Sequence, residues 1–583
     1  MIYRTALISL LAFMTTLLNA QQLPPEIIRY ADLVLLNGQI LTADKSFSTA
    51  EAVAIRDGKF LAVGSSNRIS ALAGPQTARV DLQGRTTIPG FVATDADNDF
   101  AAGNLYKETL INGKILGTQP EIKKEEIFQR MRQLLSEVPP GEPAFFRFSD
   151  ESESIYFTKE DLDQVSSRNP IMVTTGSFDS VLNSLMLEQL LQRLPKAHPS
   201  IRKDKQTGDP NGQVYGLAMG VVGWDLRPWP RIDEVYLREQ KEMIHKLNAK
   251  GVTTLVGHIQ GFSLTIFNIL FHRGELNIRV RGSHDFLRQN PYAEAYLRRL
   301  GNLVDFGLGD MVTIIGAGLS AIDGNADTGS ALTLRPKISS GGYIFGPYGK
   351  NNWVGYGGEE VGWKSAGLDR SQTEWSAVMA ALKYGWNFAG MHNVGDGATA
   401  IWLEAIEKGL SNPESVLKPN FRPFSLDHNL FWDESQAEKL NKYGVRRGLG
   451  KMFQRPEEAV QLYGERLHDV QPVPQLIKQG LMVHIEGTEP FDEIQKYVTR
   501  KDEKGHLWGP DHAVDRETAL LMKTVWAARF FGEDDRLGSI EEGKLADLTV
   551  LGEDYLTVPG ERISQIPVVM TVVGGRIVYQ VEP

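Results

Sequence analysis

The stretch that decides the fold is Thr86-Thr87-Ile88-Pro89-Gly90-Phe91-Val92-Ala93-Thr94-Asp95-Ala96-Asp97-Asn98. Its apolar run, interrupted only by the Pro-Gly pair, indicates a short buried strand that ends at two aspartates. In extended chain, residues two apart project to the same side, so Asp95 and Asp97 would present their carboxylates together. They indicate a metal-binding or acid–base pair. The same residues also fit a solvated acidic turn, because Asp and Asn favour turns through local hydrogen bonds.

Length and composition limit the classes of protein to consider. A chain of 583 residues exceeds what one compact core usually supports, which favours two domains or one large barrel with an accessory module. The net charge of −10, with Lys and Arg scattered along the chain, excludes nucleic acid as an expected partner. Because the chain has no cysteine, a metal site would consist of His, Asp, Glu or a modified Lys.

The amino-terminal segment has the pattern of a cleaved export signal. Arg4 precedes an apolar run from Ala6 to Leu18, and Leu18-Asn19-Ala20 has the small-residue character of a signal peptidase site. The run is shorter than the ~20 residues needed to span a bilayer. We therefore interpret residues 1–20 as a signal peptide. We expect a periplasmic or secreted protein with no membrane association after cleavage.

Both ends of the mature chain are rich in hairpin signals. Asn-Gly and Asp-Gly pairs interrupt strand-like segments near the amino terminus, at 31–41 and 51–64, and a Gly-Gly pair interrupts one near the carboxyl terminus, at 568–579. Chain termini often lie close together in folded domains. The pattern predicts one small β module built from residues 21–87 and 536–583.

The long middle of the chain alternates between strand-like and helix-like segments. Short apolar runs occur at 144–148, 171–175, 252–256, 278–280, 311–315, 387–391 and 481–485, and helical patterns at 124–138, 232–250, 371–384, 398–408 and 513–531. Such alternation implies a parallel sheet, and its length suits a distorted (β/α)8 TIM barrel with long loops over residues 88–535. In such a barrel the chemistry takes place at the carboxyl ends of the strands, which is where Asp95 and Asp97 fall.

Other polar residues also end predicted strands. His258, His392, the Asp427-His428 pair and the segment His484-Ile485-Glu486-Gly487-Thr488-Glu489-Pro490 all follow apolar or extended runs. Each one alone fits a structural role as well as a catalytic one. Together they would converge on one rim of the barrel, which favours a functional site.

At these motifs the chain resembles the amidohydrolase superfamily, in particular the amidohydrolase-3 group of N-acyl-amino-acid deacylase-like and related metal-dependent hydrolases. The resemblance covers nearly the whole mature chain, and it implies a distorted (β/α)8 barrel with a small β-sandwich-like domain built from both termini. It rests on Ile88-Pro89-Gly90-Phe91-Val92, Gly251-Val252-Thr253-Thr254, His392-Asn393-Val394-Gly395-Asp396, Gly480-Leu481-Met482-Val483, the hairpins at 32–41 and 54–64, and most specifically Gly538-Ser539-Ile540-Glu541-Glu542-Gly543-Lys544-Leu545-Ala546-Asp547-Leu548.

The resemblance implies a metal site, from which this chain departs. Family members carry a His-x-His pair where Asp95 and Asp97 stand, while their two later histidines correspond to His392 and His428. The bridging lysine or glutamate falls near 312–314, which holds neither residue, and the water-activating aspartate falls near Thr488, between Glu486 and Glu489. Without a bridging anion, two dications ~3.5–4 Å apart would repel each other strongly. We therefore expect at most one divalent ion, Zn, Mn or Fe.

Three functions follow from these residues. The first is an exported hydrolase of a non-peptide carbon–nitrogen bond, such as an amide or cyclic amide, in a small-molecule substrate. In it, Asp95, Asp97, His392 and His428 hold the ion, and Glu486 or Glu489 acts as general base, with Thr488 at the water-activating position. Alternatively, one of Asp95 and Asp97 is the base instead of a ligand. The second is a metal-free acid–base enzyme, an isomerase or lyase. The third is an inactive binding protein. Association into homo-oligomers stays open.

Overall fold

The structure is a computed structural model, and it describes most of the chain. The described residues are 29–96, 109–110, 124–136, 138–148, 157–175, 179–198, 200–204, 206–226, 234–259, 261–284, 294–295, 297, 308–318, 323, 331, 373–415, 424–450, 460, 463–502 and 504–581. The predicted signal peptide and Asp97 lie outside them. Within these ranges, no helix combines the length and the apolar composition needed to cross a membrane.

The strands are numbered in chain order. They are β1 (Ala31–Leu36), β2 (Gln39–Leu41), β3 (Thr49–Ala50), β4 (Ala52–Arg56), β5 (Lys59–Gly64), β6 (Ala73–Asp81), β7 (Thr86–Pro89), β8 (Phe91–Ala93), β9 (Thr109–Leu110), β10 (Ala144–Phe148), β11 (Ile171–Thr175), β12 (Asp179–Leu182), β13 (Ile201–Lys203), β14 (Pro210–Tyr215), β15 (Val252–Ile259), β16 (Arg279–His284), β17 (Val312–Ala317), β18 (Met391–Asn393), β19 (Ser425–His428), β20 (Arg446–Leu449), β21 (Val483–Ile485), β22 (Leu548–Leu551), β23 (Val568–Val573) and β24 (Arg576–Gln580).

The α-helices are numbered in the same way. They are α1 (Ser66–Ser70), α2 (Lys124–Leu135), α3 (Lys159–Val165), α4 (Ser184–Leu191), α5 (Gly216–Val221), α6 (Glu234–Asn248), α7 (Gly261–His272), α8 (Thr373–Lys383), α9 (Asp396–Ser411), α10 (Ala437–Lys442), α11 (Val473–Lys478), α12 (Pro490–Thr499), α13 (Arg516–Lys523) and α14 (Val525–Phe530). A π-helix at Val222–Leu226 and short 3₁₀ turns complete the helical segments.

Two parallel sheets carry the strand ends of interest. In the described part of the chain, one has the order β17-β16-β15-β8 and the other β18-β19-β20-β21. Every residue of β15 is buried, as expected for a parallel strand covered on both faces. Backbone hydrogen bonds join the sheets at both edges, from Ala389 N–H to Ala317 O (2.9 Å) and from Gly487 N–H to Thr94 O (2.9 Å). The chain therefore has an α/β, TIM-barrel-like fold.

Two of the apolar runs assigned to the barrel lie elsewhere. The segments at 144–148 and 171–175 form β10 and β11, which belong to a six-stranded sheet of order β13-β14-β12-β11-β10-β9 in the described residues. This sheet mixes parallel pairs with antiparallel ones. An apolar run predicts a strand but does not specify which partner it pairs with, so the sequence pattern could not separate this sheet from the barrel strands.

The two ends of the chain meet in one sheet. β22 pairs with β7, so that Thr549 lies opposite Ile88, within the described sheet β24-β23-β22-β7-β2-β3. A second sheet, β5-β4-β1-β6, shares an apolar core with the first, including Leu33 and Val53 from one sheet and Val572 from the other. Strands from both ends of the chain therefore share one sheet, whereas the composite sandwich-like domain stays a prediction.

The hairpin predictions had mixed outcomes. The Asp57-Gly58 and Gly574-Gly575 turns connect antiparallel pairs, β4 with β5 and β23 with β24, and all four residues have positive φ. The Asn37-Gly38 hairpin was wrong, because β1 and β2 belong to different sheets. Asn37 still has a left-handed φ of 58°, so the local turn forms, but it directs the chain from one sheet to the other.

Gly90 marks the point at which the chain passes from the terminal sheet into the parallel sheet. β7 pairs with β2 and β22, while β8 pairs with β15. A Cβ on Gly90 would collide with the side chain of Thr253 on β15, which explains why this position lacks a side chain. The Gly90 N–H donates to Asp547 O (3.1 Å), so the junction is held by the carboxyl-terminal segment.

Asp547 also forms a buried ion pair with Arg279 of β16. The carboxylate accepts from Arg279 Nε (2.7 Å) and Nη2 (2.9 Å) and from the Gly574 N–H (2.8 Å). Both charged side chains are at most 5% exposed. This arrangement gives a structural reason for the aspartate in the most specific sequence motif.

We expect Asp547→Ala to lower the free energy of unfolding by about 3–5 kcal/mol, because it leaves the Arg279 guanidinium buried without its counter-charge. Glu234→Ala is the matched control, since Glu234 also forms a two-bond pair with an arginine, Arg273, but both side chains are largely exposed. The control should change stability by about 0–1 kcal/mol. Urea unfolding followed by tryptophan fluorescence measures both changes in the free energy of unfolding. Equal losses of stability in the two variants would contradict the role assigned to the buried pair of Asp547 and Arg279.

Candidate functional site

Three polar side chains converge at the carboxyl ends of the parallel strands. Asp95 lies just beyond β8, His428 ends β19, and Glu486 follows β21. Each offers one ligand atom, and these atoms all lie within 4.8 Å of one another. We call these three residues the rim cluster. Asp95 and His428 are half-buried and Glu486 is buried, so the cluster is open on one side.

Glu486 and His428 are joined by two hydrogen bonds. The His428 N–H donates to Glu486 Oε1 (2.7 Å), and His428 Nδ1 lies 2.8 Å from Glu486 Oε2. With Nδ1 engaged in this way, Nε2 is the ring nitrogen left to face a ligand. The carboxylate has room because β20 carries Gly448, where a Cβ would collide with Glu486 Oε1.

Two members of the rim cluster have an unusual backbone conformation. Asp95 has a φ of 54° and His428 a φ of 69°, both in the left-handed region that residues other than glycine seldom adopt. Such strain costs roughly 1–3 kcal/mol per residue and is found most often at functional sites. Hydrogen bonds of the next residue hold the His428 conformation in place: the Asn429 N–H donates to Asn393 O (2.7 Å), and Asn429 Nδ2 donates to Gly448 O (2.8 Å).

The charges of the rim cluster stabilise each other. Burial by itself lowers the pKa of His428, but the carboxylates of Glu486 and Asp95 outweigh it and raise this pKa well above its ordinary value. Burial likewise raises the pKa of Glu486, whereas the His428 ring outweighs it and lowers this pKa. In the absence of a metal ion the two residues therefore form an imidazolium–carboxylate pair.

His392 lies beside the rim cluster and contacts it through its ring. The ring centroids of His392 and His428 are 4.6 Å apart in an edge-to-face arrangement. On its other side, His392 Nδ1 lies 3.6 Å from Oδ1 of the buried Asp323. Asp323 also accepts from the N–H groups of Val394 (3.0 Å) and Gly395 (2.7 Å), so it fixes the turn that follows β18. A carboxylate behind a histidine is a common way to orient the ring toward a metal.

His258 belongs to a second, more deeply buried group. Its Nδ1 lies 2.7 Å from Ser283 Oγ, and its Nε2 lies 3.5 Å from Asp427 Oδ2. All three residues are at most 8% exposed. Burial raises the pKa of Asp427, although the hydrogen bond from His258 opposes the shift. These contacts link three strands, β15, β16 and β19.

The remaining predicted site residues lie apart or outside the described chain. Glu489 is largely exposed and forms an ion pair with Lys250, so it is not part of the rim cluster. Thr488 is half-buried, two residues beyond Glu486. Asp97 is not among the described residues. The bridging-ligand position falls within β17, whose sequence Val-Thr-Ile-Ile-Gly-Ala contains no lysine or acid. The catalytic and ligand roles of all these residues stay predictions.

Sequence reasoning overlooked two buried charged residues near the site. Asp323 follows β17 closely, so the strand-end rule that selected Asp95 could have selected it too. Lys523 ends the helix α13 within a helical pattern, and no local signal distinguishes it from a surface lysine. The burial of Lys523 becomes apparent only from the packing of α13 against the strand ends.

The comparison with known proteins identifies the family. The model of the amidohydrolase family matches residues 148–579. The chain belongs to the amidohydrolase family. The match includes His392, His428 and Glu486, whereas Asp95 precedes it. The family predicted from the sequence is thereby confirmed.

Relatives and solved structures of this amidohydrolase-family chain are distant in sequence. It is 24% identical to an N-substituted formamide deformylase of Arthrobacter pascens, over 94% of this chain and 98% of the relative. It is also 24% identical to the protein LONG AFTER FAR-RED 3 of Arabidopsis thaliana, over 94% and 92%. An uncharacterized metal-dependent hydrolase from Pyrococcus horikoshii OT3 superposes with a TM-score of 0.62 at 21% identity, covering 91% of this chain and 99% of that one. This last likeness shows the fold.

We expect Gly448→Ala to displace the Glu486 carboxylate, because the new methyl group would occupy the position of Oε1. The loss of its hydrogen bonds with His428 should lower the free energy of unfolding by about 1–3 kcal/mol. Gly223→Ala is the control, since a Cβ there meets nothing within 4 Å, and it should leave stability nearly unchanged. Neither glycine has positive φ, so backbone strain does not enter the comparison. Chemical unfolding measures the free energy of unfolding of both variants. A value unchanged by Gly448→Ala would show that the site tolerates the displacement of Glu486.

Proposed function

We propose that the protein hydrolyses a non-peptide carbon–nitrogen bond, an amide or cyclic amide, in a small molecule, with one divalent ion at the rim cluster. The observation that supports this most directly is the convergence of Asp95, His428 and Glu486 at the carboxyl ends of three strands of an amidohydrolase-family fold. The N-substituted formamide deformylase among its relatives makes N-formylated amines the first substrates to test.

The donor set fits one hard or borderline divalent ion. Two carboxylates and one imidazole match the preferences of Zn²⁺, Mn²⁺ or Fe²⁺. Such an ion, when bound, polarises a carbonyl oxygen and lowers the pKa of a bound water. A single ion is the better proposal, because β17 supplies no bridging anion. His392 lies against the His428 ring and is a further candidate ligand, as is Asp97 from the sequence.

The chain's own residues would manage the protons of the reaction. Glu486 would take a proton from the attacking water, whose oxygen then forms a bond with the carbonyl carbon. As the carbon–nitrogen bond breaks, the same carboxyl group would return that proton to the leaving nitrogen, giving an amine and a carboxylic acid. His428 orients the Glu486 carboxylate through both of its hydrogen bonds. Burial of Glu486 keeps bulk water from competing with these bonds.

One observation favours a second candidate function. The imidazolium–carboxylate pair formed by His428 and Glu486 is complete without a metal ion, and paired groups of this kind serve as acid and base in metal-free isomerases and lyases. A metal-free acid–base enzyme is therefore the alternative, and an inactive binding protein is the outcome if neither chemistry is found.

We also propose the finer organisation predicted from the sequence. Residues 88–535 would contain a closed, distorted (β/α)8 barrel, supported by the hydrogen bonds at both edges of the two parallel sheets. Residues 21–87 and 536–583 would form the composite sandwich domain. Residues 1–20 would be removed on export, leaving a periplasmic or secreted protein, which amino-terminal sequencing of the mature protein tests.

We expect the protein purified without chelators to contain about one equivalent of a divalent metal, measured by elemental analysis. Asp95→Ala and His428→Ala should each weaken binding of added Mn²⁺ or Zn²⁺ by at least tenfold. Metal content near zero, with no activity gained on adding these ions, would contradict the metal-dependent hydrolase. Turnover by the metal-free protein would favour the acid–base alternative instead.

We expect Glu486→Gln to reduce kcat on an N-formylated amine by about 10²–10⁴-fold, because the amide cannot accept the proton of water. Glu489→Gln is the matched comparison, since it makes the same chemical change three residues away at an exposed side chain, and its kcat should change less than about twofold. Steady-state kinetics on both variants decides between the two bases. An equal or larger loss in Glu489→Gln would place the base there.

A further inference from the structure

Lys523 is a fully buried lysine whose ammonium group lies under the strand end that carries Glu486. Its Nζ donates to Ile485 O (3.1 Å) and to Gly487 O (2.8 Å), the carbonyl groups on either side of Glu486. Its side chain has no solvent exposure. Burial of an ammonium group away from water is strongly unfavourable unless a counter-charge and hydrogen bonds compensate for it.

The partner is Glu493 in the first turn of α12. Glu493 Oε2 lies 2.5 Å from Lys523 Nζ, and its Oε1 accepts the N–H of Glu489 (3.0 Å). The carboxylate can reach this position only because residue 487 is a glycine. Gly487 has a φ of 107°, and a Cβ there would collide with Glu493 Oε1. Lys523, Glu493 and Gly487 therefore form one packed unit.

This unit is connected to two of the three residues of the rim cluster. On one side, Lys523 donates to the carbonyl groups of Ile485 and Gly487, the residues before and after Glu486. On the other, the Gly487 N–H donates to Thr94 O, and Thr94 is the residue before Asp95. A second contact, between Thr94 Oγ1 and His484 Nε2 (2.8 Å), ties the same two strand ends together. The relative position of the Asp95 and Glu486 carboxylates thus depends on the backbone segment 485–487, which Lys523 holds at both of its ends.

We propose that Lys523, neutralised by Glu493, is a positioning residue that sets the spacing of the Asp95 and Glu486 carboxylates and thereby the metal affinity of the rim cluster. The inference rests on the proposed metal-dependent function. A positioning role differs from a purely structural one in its consequence. Removal of Lys523 and Glu493 should weaken metal binding in addition to lowering stability.

The test compares two charge-neutral double variants. Lys523→Met with Glu493→Gln removes the proposed positioning pair. Arg281→Met with Glu533→Gln is the matched control, because Arg281 and Glu533 form an equally buried pair (2.8 Å) in which Arg281 also donates to Val280 O and Asp310 O. For both, the thermal midpoint and the dissociation constant for Mn²⁺ or Zn²⁺ in competition with a chelator are measured.

We expect both double variants to lose thermal stability, while only the Lys523 and Glu493 variant weakens metal binding by at least tenfold, the range seen when groups behind metal ligands are removed. Unchanged metal affinity in that variant, or an equal weakening in the control, would overturn the proposal.

A second pair of variants tests the proposal if the double variant does not fold. Gly487→Ala should weaken metal binding by displacing Glu493, whereas Gly505→Ala, also at positive φ but with nothing within 4 Å of its Cβ, should not; equal metal affinities in these two would also overturn it.

A wild-type protein that binds no metal would refute the proposed function without deciding the positioning role. In that case crystal structures of the wild type and the Lys523 and Glu493 variant decide it. The proposal expects the Glu486 carboxylate to move so that at least one of its two hydrogen bonds with His428 is lost in the variant. If both bonds keep their lengths of 2.7 and 2.8 Å, Lys523 is structural only.

Discussion

The passage of the chain from the terminal sheet to the parallel sheet at Gly90 is the constraint on which the rest of the structure depends. Within two residues, β7 pairs with the carboxyl-terminal strand β22 and β8 pairs with β15. The backbone of Asp547 receives the Gly90 N–H, and its side chain holds Arg279 at the start of β16. A buried ion pair adds little net stability compared with an apolar contact, but it is strongly unfavourable if one partner is missing. It therefore makes the register of these strands conditional on the docking of the carboxyl terminus, and the position of Asp95 follows from that register.

The fixed register of these strands allows backbone strain at the rim cluster. Asp95 and His428 adopt left-handed backbone conformations, and Gly448 and Gly487 leave the space that the Glu486 and Glu493 carboxylates occupy. A site assembled for stability alone would favour relaxed backbone and apolar side chains at these positions. The strained residues can persist because the strands around them are fixed by hydrogen bonds that do not involve the site. The strained residues at the strand ends therefore depend on the rigid strands that carry them.

The sequence predicted what is local and missed what depends on distant partners. Asp95, His428 and Glu486 could be selected because each follows a strand-like run, and the carboxyl ends of parallel strands meet at one rim. The separation of β1 from β2, and of β10 and β11 from the barrel strands, depends on partner choice, which an apolar run does not encode. The burial of Lys523 could not be predicted for the same reason, since a lysine at the end of a helix pattern is usually solvated. Glu489 and Glu486 looked equivalent in sequence, and only burial distinguishes them.

The exchange of a histidine pair for Asp95 and Asp97, which the family resemblance implies, changes the electrostatics of the site in a definite direction. Neutral histidines leave an empty site uncharged, whereas carboxylates leave it negative and need a cation nearby. In this structure the carboxylates of Glu486 and Asp95 raise the pKa of His428, which favours the cationic form of its ring. A metal ion that uses the His428 ring must first displace its proton, so proton and metal compete for the same position. The same two carboxylates that raise the affinity for a dication also raise the affinity for that proton. In the proposed function, the balance between hydrolysis with metal and acid–base chemistry without it would therefore rest on one nitrogen atom of the His428 ring.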